Sequence, residues 1–188
     1  MTIVFAHSLG DGAELAMLEP WHAEEFFTTL DRARPALIAA IPAAHEVHSV
    51  ADARTVLQRW ADAHAADTRH LFGVWCDGEF VGVVQLFSFD AGTGTCEMGV
   101  WLAPWMQGRG LITKACQRVL DWAFRIRGMY RVQWTNNPAN VRSAAVARRL
   151  GMTREGLLRG GFVLAGNRWD CEVWSMLAQE WDSRAPAP

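Results

Sequence analysis

Long hydrophobic runs are absent from this sequence, and no segment approaches the roughly 20 apolar residues that a membrane-spanning helix needs. An excess of charge is absent as well, because 18 Lys and Arg residues nearly balance 20 Asp and Glu residues. A near-neutral chain has no strong electrostatic attraction for nucleic acid or for an anionic membrane. We therefore predict neither partner. The first residues also lack a basic segment followed by an apolar one, so we expect no secretion signal and a cytoplasmic location.

Cysteine is scarce, and its copies are widely spaced with no Cys-x-x-Cys pair. This spacing favours buried, reduced thiols over a catalytic thiol. His45 and His48 could place two imidazoles one helical turn apart, but no further ligand clusters with them. We therefore predict no metal site. The cysteines are Cys76, Cys96, Cys116 and Cys171.

The length of 188 residues and the 51% share of hydrophobic residues suffice for one domain with a buried core. No internal repeat or linker divides the chain, so we predict one domain over residues 1–183 and a disordered tail over residues 184–188. Tyrosine occurs once, whereas tryptophan occurs ten times. Most of these indoles should lie in the core or in a pocket wall, and several suit a substrate cleft or a subunit interface.

The most informative stretch is residues 95–122, which reads as a strand, a turn and a long helix. Alternating apolar residues over 96–102 predict the strand, and apolar residues at three- and four-residue spacing from residue 111 predict the helix. Gly108 and Gly110 form the turn between them. Glycines at the start of a helix let an anion approach backbone N–H groups with the helix dipole behind them. The turn is therefore either a phosphate-binding turn or an ordinary glycine turn.

Side chains around this turn add to its capacity for phosphate, since Arg109 and Lys114 are cationic and Thr113 carries a hydroxyl. The turn is not a Walker loop, because Ala115 follows the lysine where Ser or Thr is required. It is not a dinucleotide fingerprint either, because Thr113 stands where the third glycine belongs. An unrelated phosphate-loop enzyme acting on nucleotides is therefore disfavoured.

Residues 107–112 follow the pattern Gln-x-x-Gly-x-(Gly/Ala), with Ile112 in place of the usual small last residue. This pattern resembles the acyl-CoA pyrophosphate loop of the GNAT acetyltransferases. A second match lies further along the chain, where Asn-x-x-Ser occurs within residues 137–143 and Leu-Gly-Met occurs at 150–152. The second match resembles the RimJ/RimL-like branch of that family. The resemblance covers residues 69–174.

The resemblance implies an α/β (α+β) GNAT fold, in which a central, twisted, mostly antiparallel mixed sheet with a splayed strand pair is flanked by helices. We expect Arg34-Pro35 to end the first helix and Ser49 to cap the next one. The predicted strands are residues 14–19, 70–76, 80–89, 96–102, 131–135, 157–164 and 169–177. The predicted helices are residues 21–33, 50–66 and 140–150, with one more that begins at residue 111.

The resemblance also implies acetyl-CoA as cosubstrate, with its pyrophosphate on the glycine turn and its pantetheine arm along the strand that precedes it. A backbone N–H of that strand would stabilise the thioester oxygen as it gains charge. Arg148 or Arg149 could meet the coenzyme's 3′-phosphate, although a solvated face fits them equally well. The residues that we predict to bind acetyl-CoA are Val100, Trp101, Leu102, Gln107, Gly108, Arg109, Gly110, Leu111, Ile112, Thr113, Asn137 and Asn140.

Transfer to an amine needs a group that takes the proton of the attacking nitrogen. Glu97 and Asp170 are the candidates for this base, each with a structural role as the alternative, and a water chain could also suffice. Ser143 matches the serine that RimL-like enzymes are thought to use as acid, and its alternative role is helix capping. The glutamate that RimL-like proteins carry after Leu-Gly-Met falls at about Phe162 here. That departure favours an amine other than a ribosomal protein.

The sequence therefore predicts an N-acetyltransferase that transfers the acetyl group of acetyl-CoA to a primary amine by direct attack in a ternary complex. The amine would be a peptide or protein N-terminus, or an aminoacyl or amino small molecule such as an antibiotic. The resemblance allows a homodimer. The alternative is a non-catalytic module that binds or senses acyl-CoA.

Overall fold

The computed structural model describes residues 6–183, and these residues form two compact units. One unit comprises residues 6–85 with 100–115, and the other comprises 86–99 with 116–183. The strands are β1 (His7–Gly10), β2 (Ala13–Met17), β3 (His70–Cys76), β4 (Glu79–Asp90), β5 (Thr95–Leu102), β6 (Arg131–Asn136), β7 (Thr153–Leu164) and β8 (Asn167–Leu177). The helices are α1 (Ala23–Leu37), α2 (Ala43–Glu46), α3 (Val50–Ala65), α4 (Leu111–Asp121), α5 (Val141–Arg149) and α6 (Ala178–Asp182).

Backbone hydrogen bonds order the strands as β1-β2-β3-β4-β5-β6-β8-β7. The pair β5–β6 is parallel, while β1–β2, β2–β3, β6–β8 and β7–β8 are antiparallel. The β5–β6 register runs from Thr95 opposite Arg131 to Met98 opposite Trp134, and β5 then continues to Leu102. The predicted α/β fold with a mixed, mostly antiparallel sheet and helices is confirmed.

The core of the first unit forms where α1 and α3 cover its strands. Phe26, Leu30 and Leu57 are almost completely buried in one cluster with Trp75 and Trp101. The side chains of α1 reach this cluster at three- and four-residue spacing, which is the periodicity of one helix face. This unit also holds the glycine turn.

The prediction that Arg34-Pro35 ends the first helix is wrong, because α1 continues to Leu37. Proline removes one backbone donor from a helix, but the burial of Leu37 stabilises the extra turn. Arg34 also holds the segment that follows, since its Nη2 donates to the carbonyl of Val47 at 2.6 Å. Tertiary packing therefore outweighs the local preference of proline.

Strand β1 is a second departure from the sequence interpretation, which predicted no strand before residue 14. The turn between β1 and β2 has positive φ at three successive residues, Gly10, Asp11 and Gly12. A β-carbon on Gly12 would lie 2.3 Å from the Asp77 carboxylate, so this turn packs closely against the β3–β4 hairpin. The other predicted strands and helices are confirmed with shifts of a few residues at their ends, except that β7 begins four residues earlier, at Thr153.

The second unit is built around β6. Val132 and Trp134 are at most 1% exposed on one face of this strand, and Ala147 and Leu150 of the α5 region are equally buried. Asn140 caps α5, because its side-chain oxygen accepts from the backbone N–H of Ser143 at 3.1 Å. Gly151 follows the helix with φ +70°, as a residue after a helix C-terminus commonly does.

None of the described helices is both long enough and apolar enough to span a membrane. The single domain over residues 1–183 stays a prediction. The tail at residues 184–188 lies outside the described residues.

Replacing Ser49 by alanine should destabilise the first unit. The Ser49 hydroxyl accepts from the backbone N–H of Asp52 at 3.1 Å, which satisfies one donor at the start of α3. We expect a loss of about 1 kcal/mol in the free energy of unfolding, measured by urea titration. Thr55→Ala is the matched control, because Thr55 lies within the same helix and bonds only to the carbonyl one turn back. An equal or larger loss in the control would contradict the capping role.

Candidate functional site

The glycine turn lies between β5 and α4 and is open to solvent. Gly108 and Gly110 have φ of +82° and +76°, values that other residues adopt only with strain. Apart from the chain neighbours, no atom of the described residues lies within 4 Å of the position where a β-carbon would stand on either glycine. The predicted turn is therefore present, and a ligand can approach its backbone from outside.

Helix α4 begins directly at this turn. The N–H of Lys114 donates to the carbonyl of Gly110 at 3.1 Å, which starts the hydrogen-bond ladder of the helix. The N–H groups at residues 111–113 precede that ladder, so they have no intrahelical acceptor. Leu111 and Ala115 are at most 2% exposed and hold the helix start against its unit. These donors and the helix dipole make the turn suitable for an anion.

The ammonium group of Lys114, next to the glycine turn, has a partner that was not predicted from the sequence. Nζ of Lys114 lies 2.9 Å from Oδ2 of Asp11, which stands on the β1–β2 turn. This ammonium lowers the pKa of Asp11, through its hydrogen bond first and its charge second. The guanidinium of Arg109 lies beside the sulfur of Met106 at 3.6 Å. No sequence signal links Asp11 and Lys114, because the β1–β2 turn and helix α4 meet only in the folded structure.

The end of β5, residues 100–102, is fixed from one side. The buried ring of Trp101 packs against Phe26 and Phe80, with centroids 6.1 and 5.8 Å away. Strand β4 approaches so closely that a β-carbon on Gly82 would lie 2.4 Å from the Trp101 carbonyl. By strand alternation, Val100 and Leu102 point to the opposite side from Trp101.

Glu97 lies in the second unit, on β5 opposite Gln133 of β6. Its carboxylate accepts a hydrogen bond from the hydroxyl of Thr135. Burial raises the pKa of Glu97 above its ordinary value, and the hydrogen bonds from Thr135 and Gln133 oppose this shift without cancelling it. A carboxyl group with a raised pKa next to neutral donors is a suitable proton acceptor near neutral pH. Thr135 was not predicted from the sequence.

Ser143 stands in the first turn of α5. Its Oγ accepts from the indole Nε1 of the buried Trp134 at 3.0 Å. Because an indole nitrogen only donates, this bond leaves the serine hydrogen to be given to another acceptor. Trp134 and Thr135 are neighbours in β6, and adjacent strand residues point to opposite faces. Glu97 and Ser143 are therefore attached to opposite faces of the same strand.

The other predicted side chains in this unit have local partners. Oδ1 of Asp170 accepts from the backbone N–H of Gly160 at 2.9 Å and supports an irregular step in the β7–β8 hairpin. Oδ1 of Asn137 accepts from the N–H of Ala139 at 2.9 Å. The oxygen of Asn140 caps α5. Asp170 and both asparagines therefore make the local hydrogen bonds expected of structural residues. The guanidinium of Arg148 lies over the Trp174 ring.

Histidine and cysteine show no clustering at the positions singled out from the sequence. Nε2 of His45 lies 2.6 Å from the carbonyl of Ile38, and Nε2 of His48 lies 2.9 Å from that of His45. Within residues 6–183, no three His, Cys, Asp or Glu side chains are arranged to hold a metal ion. All four cysteines are buried as free thiols.

Comparison with known proteins identifies the class. The family model of the acetyltransferase (GNAT) domain matches residues 15–153. The chain is 30% identical over 128 residues to YdaF of Bacillus subtilis (strain 168), whose name provisionally assigns it ribosomal N-acetyltransferase activity; the match covers 68% of this chain and 70% of YdaF. It is 30% identical over 106 residues to spermidine N(1)-acetyltransferase of Escherichia coli (strain K12), covering 56% of this chain and 57% of that protein.

A solved structure shows the same fold. RimL, the ribosomal L7/L12 alpha-N-protein acetyltransferase in complex with coenzyme A, superposes with a TM-score of 0.88 at 20% identity and covers 94% of this chain and 99% of its own. The chain therefore belongs to the GNAT acetyltransferase family and has RimL-like relatives. It is an N-acetyltransferase, and acetyl-CoA is its acetyl donor.

Replacing Thr135 by valine should raise the pKa of Glu97 further. The Thr135 hydroxyl stabilises the ionised carboxylate, so its removal favours the protonated form. We expect the titration midpoint of the Glu97 carboxyl carbon, followed by NMR, to move to higher pH. Thr95→Val is the matched control, because Thr95 lies on the neighbouring strand β5 with Glu97 and its hydroxyl bonds to Thr93 instead. A midpoint that stays in place in Thr135→Val would show that the hydroxyl does not tune this carboxyl group.

Proposed function

We propose that this N-acetyltransferase transfers the acetyl group directly to a primary amine, with Glu97 as proton acceptor and Ser143 as proton donor. The observation that carries the base role is the largely buried carboxyl group of Glu97, which Thr135 holds by a hydrogen bond and whose pKa burial raises. The role of Ser143 is supported by the family resemblance and by the bond from Trp134, which leaves the serine hydrogen available for donation. Attack of the amine on the thioester carbon forms a C–N bond and a tetrahedral adduct; nitrogen then loses a proton to the base, and the sulfur can gain one as the C–S bond breaks. Thr135 and Trp134 then act as positioning residues for the two groups.

The glycine turn supports the binding part of the proposal. We assign the coenzyme pyrophosphate to the backbone N–H groups from Gly108 to Thr113, with Gln107, Arg109 and Lys114 at its rim. Asp11 pairs with Lys114, and a pyrophosphate that binds nearby would compete with this carboxylate for the ammonium. Val100, Trp101 and Leu102 offer the backbone along which the pantetheine arm lies, as the family resemblance implies.

Proton transfer follows from the chemistry of the two side chains. An amine is a nucleophile only when neutral, and the raised pKa of Glu97 makes its carboxylate a stronger base than an exposed one. The departing thiolate has an ordinary pKa of about 8.5, so a hydroxyl donor assists its departure without being obligatory. We therefore assign the larger share of the rate to Glu97 and the smaller share to Ser143.

The acceptor belongs to the class of primary amines. The names of two relatives point to ribosomal proteins and to spermidine, both of which carry such amines. Phe162 stands at about the position where RimL-like proteins carry a glutamate, which supports an acceptor other than a ribosomal protein.

The deciding experiment is a screen of amines with acetyl-CoA and a thiol-detecting reagent. We expect thiol release with at least one amine class, and intersecting initial-rate lines when both substrates are varied, as direct attack requires. Parallel lines would indicate an acetyl-enzyme intermediate and contradict direct attack. Tight binding of acetyl-CoA with no turnover in any amine class would contradict a primary amine as the acceptor.

A cytoplasmic location and a homodimer remain proposals. The location is supported by four cysteines that are all buried as free thiols, as expected in a reducing compartment. The dimer is supported only by the family resemblance, and sedimentation of the purified chain would test it. The absence of a nucleic-acid or membrane partner is supported by the balanced charge.

Replacing Gly110 by alanine should weaken coenzyme binding. The new β-carbon imposes strain of about 1 kcal/mol at positive φ and occupies space that phosphate would use. We expect coenzyme A affinity, measured by calorimetry, to fall about tenfold, which corresponds to about 1.4 kcal/mol. Gly128→Ala is the matched control, with φ +68° and nothing within 4 Å of its β-carbon position among the described residues. Equal losses of affinity in both variants would contradict a role for the turn.

Replacing Glu97 by glutamine should lower kcat/KM about a hundredfold, because general-base assistance contributes roughly 10²–10⁴. Ser143→Ala should lower kcat by a smaller factor, and both variants should bind coenzyme A as the parent does. The thiol-release assay measures the rates, and calorimetry measures the binding. A large loss in Asp170→Asn with full activity in Glu97→Gln would transfer the base role to Asp170.

A further inference from the structure

Exposed apolar side chains are concentrated in the β7–β8 hairpin. Of the ten large apolar side chains exposed among residues 6–183, five lie between residues 157 and 169 of this hairpin. Exposed apolar side chains that lie together on one face commonly mark a binding surface. The five residues are Leu157, Leu158, Phe162, Val163 and Trp169, with 37–55% of their surface exposed.

The strand register divides these side chains between the two faces of the hairpin. Leu158 stands opposite Cys171, and Phe162 stands opposite Trp169. Cross-strand partners share a face, and residues two apart on one strand share a face. Leu158, Phe162 and Trp169 therefore form one apolar surface, which we call the aromatic ledge. Leu157 and Val163 lie on the other face, opposite the charged residues Glu172 and Arg168.

The aromatic ledge is on the face that carries Glu97. Val173 is two residues beyond Cys171 on β8 and stands opposite Thr135 of β6. Thr135 donates to the carboxylate of Glu97, and the Cys171 thiol lies close enough for the Thr135 hydrogen bond to lower its pKa, although burial raises that pKa overall. The carboxylate and the ledge are thus continuous parts of one sheet face, within one compact unit.

The distance along this face from the Glu97 carboxylate to the aromatic ledge sets the size of a ligand that contacts both of them. At about 3.3 Å per residue, Cys171 lies about 7 Å along β8 from Val173, and Trp169 lies about 13 Å along it. A molecule with its nitrogen at Glu97 would therefore place a group about five to ten bonds away on the ledge.

The hairpin holds the ledge in a defined shape. A β-carbon on Gly161 would lie 2.8 Å from the β-carbon of Leu158, so the chain needs glycine to pack this close to Leu158. Asp170 accepts from the N–H of Gly160 at 2.9 Å, and Arg168 donates to the Gly160 carbonyl at 3.1 Å. These bonds fix the irregular step between Leu158 and Phe162.

Charge on this face suits a single ammonium group. Glu97 is the carboxylate at the inner end of the ledge. The acidic groups of the hairpin are already engaged, because Asp170 binds the Gly160 N–H, Glu155 pairs with Arg131 at 2.5 Å and Glu172 pairs with Arg154 at 3.0 Å. Only one positive charge of a polycation could pair with Glu97, and its other charges would lie against an apolar surface. An amine with an apolar tail could pair its ammonium group with Glu97 and pack its tail on the ledge.

We infer that the acceptor is a primary amine that carries an apolar or aromatic group, with its nitrogen at Glu97 and that group on the ledge of Leu158, Phe162 and Trp169. This inference rests on the proposed function, since it assigns the acceptor to the face of Glu97. The ledge acts on specificity and takes no part in the chemical step. Its contribution should appear in KM for the amine and leave kcat nearly unchanged.

The test compares 4-phenylbutylamine, n-butylamine and spermidine as acceptors with acetyl-CoA, using thiol release by the parent and by variants. We expect kcat/KM for 4-phenylbutylamine to exceed that for n-butylamine and for spermidine at least about tenfold, the scale of apolar discrimination in a binding site. Phe162→Ser and Trp169→Ser should each remove most of this preference by raising KM for 4-phenylbutylamine.

The matched controls are Leu157→Ser and Val163→Ser, which remove exposed apolar side chains from the other face of the same hairpin. Both should keep the preference for the aromatic amine. Equal effects of ledge and control variants would overturn the inference, because the loss would then come from the fold of the hairpin. Preference for spermidine, or no preference with normal turnover, would overturn the inference and leave the proposed function standing.

The aromatic ledge could also join two copies of the chain, and sedimentation of the parent and of Trp169→Ser tests this. We expect the same sedimentation behaviour for both proteins. A dimer that dissociates in Trp169→Ser, with acceptor preference unchanged, would assign the ledge to self-association and overturn the inference. Failure of every amine to give turnover would overturn the proposed function together with the inference.

Discussion

The parallel pairing of β5 with β6 is the interaction on which the candidate chemistry depends. It places Glu97 opposite Gln133 and beside Thr135, so that a half-buried carboxyl group gains two hydrogen-bond donors. Burial favours the protonated acid, the donors favour the carboxylate, and the balance leaves a pKa above the ordinary value. A register shift of one residue would turn Glu97 to the other face, where this environment does not exist.

Strand β6 therefore organises both proton-transfer candidates. Thr135 bonds to Glu97 on one face, and Trp134 bonds to Ser143 on the other. Because Trp134 is buried, the direction of its indole N–H is fixed by packing, and the serine it contacts is held in turn. The proposed base and the proposed acid are thus both held by a strand that itself carries no predicted catalytic residue.

The glycine turn and the β7–β8 hairpin solve different recognition problems. The turn exposes backbone N–H groups, which suit any phosphate and carry little information about the rest of the ligand. The hairpin exposes apolar side chains on the face that carries Glu97, and we propose that this face distinguishes amines by their tails. In this proposal, coenzyme binding is shared across the family, while acceptor choice depends on hairpin residues such as Phe162 and Trp169.

The amino-acid sequence by itself determined the features that depend on nearby residues. These include the glycine turn before α4, the Ser49 cap of α3 and the alternation in β5, since backbone propensity and hydrophobic period act over a few residues. The end predicted for α1 at Arg34-Pro35 was wrong because the burial of Leu37 is a tertiary effect. Only the tertiary structure decided that Thr135 meets Glu97, that Asp11 meets Lys114 and that Asp170 supports the hairpin. Those contacts depend on strand register and packing between distant segments, which no local pattern encodes.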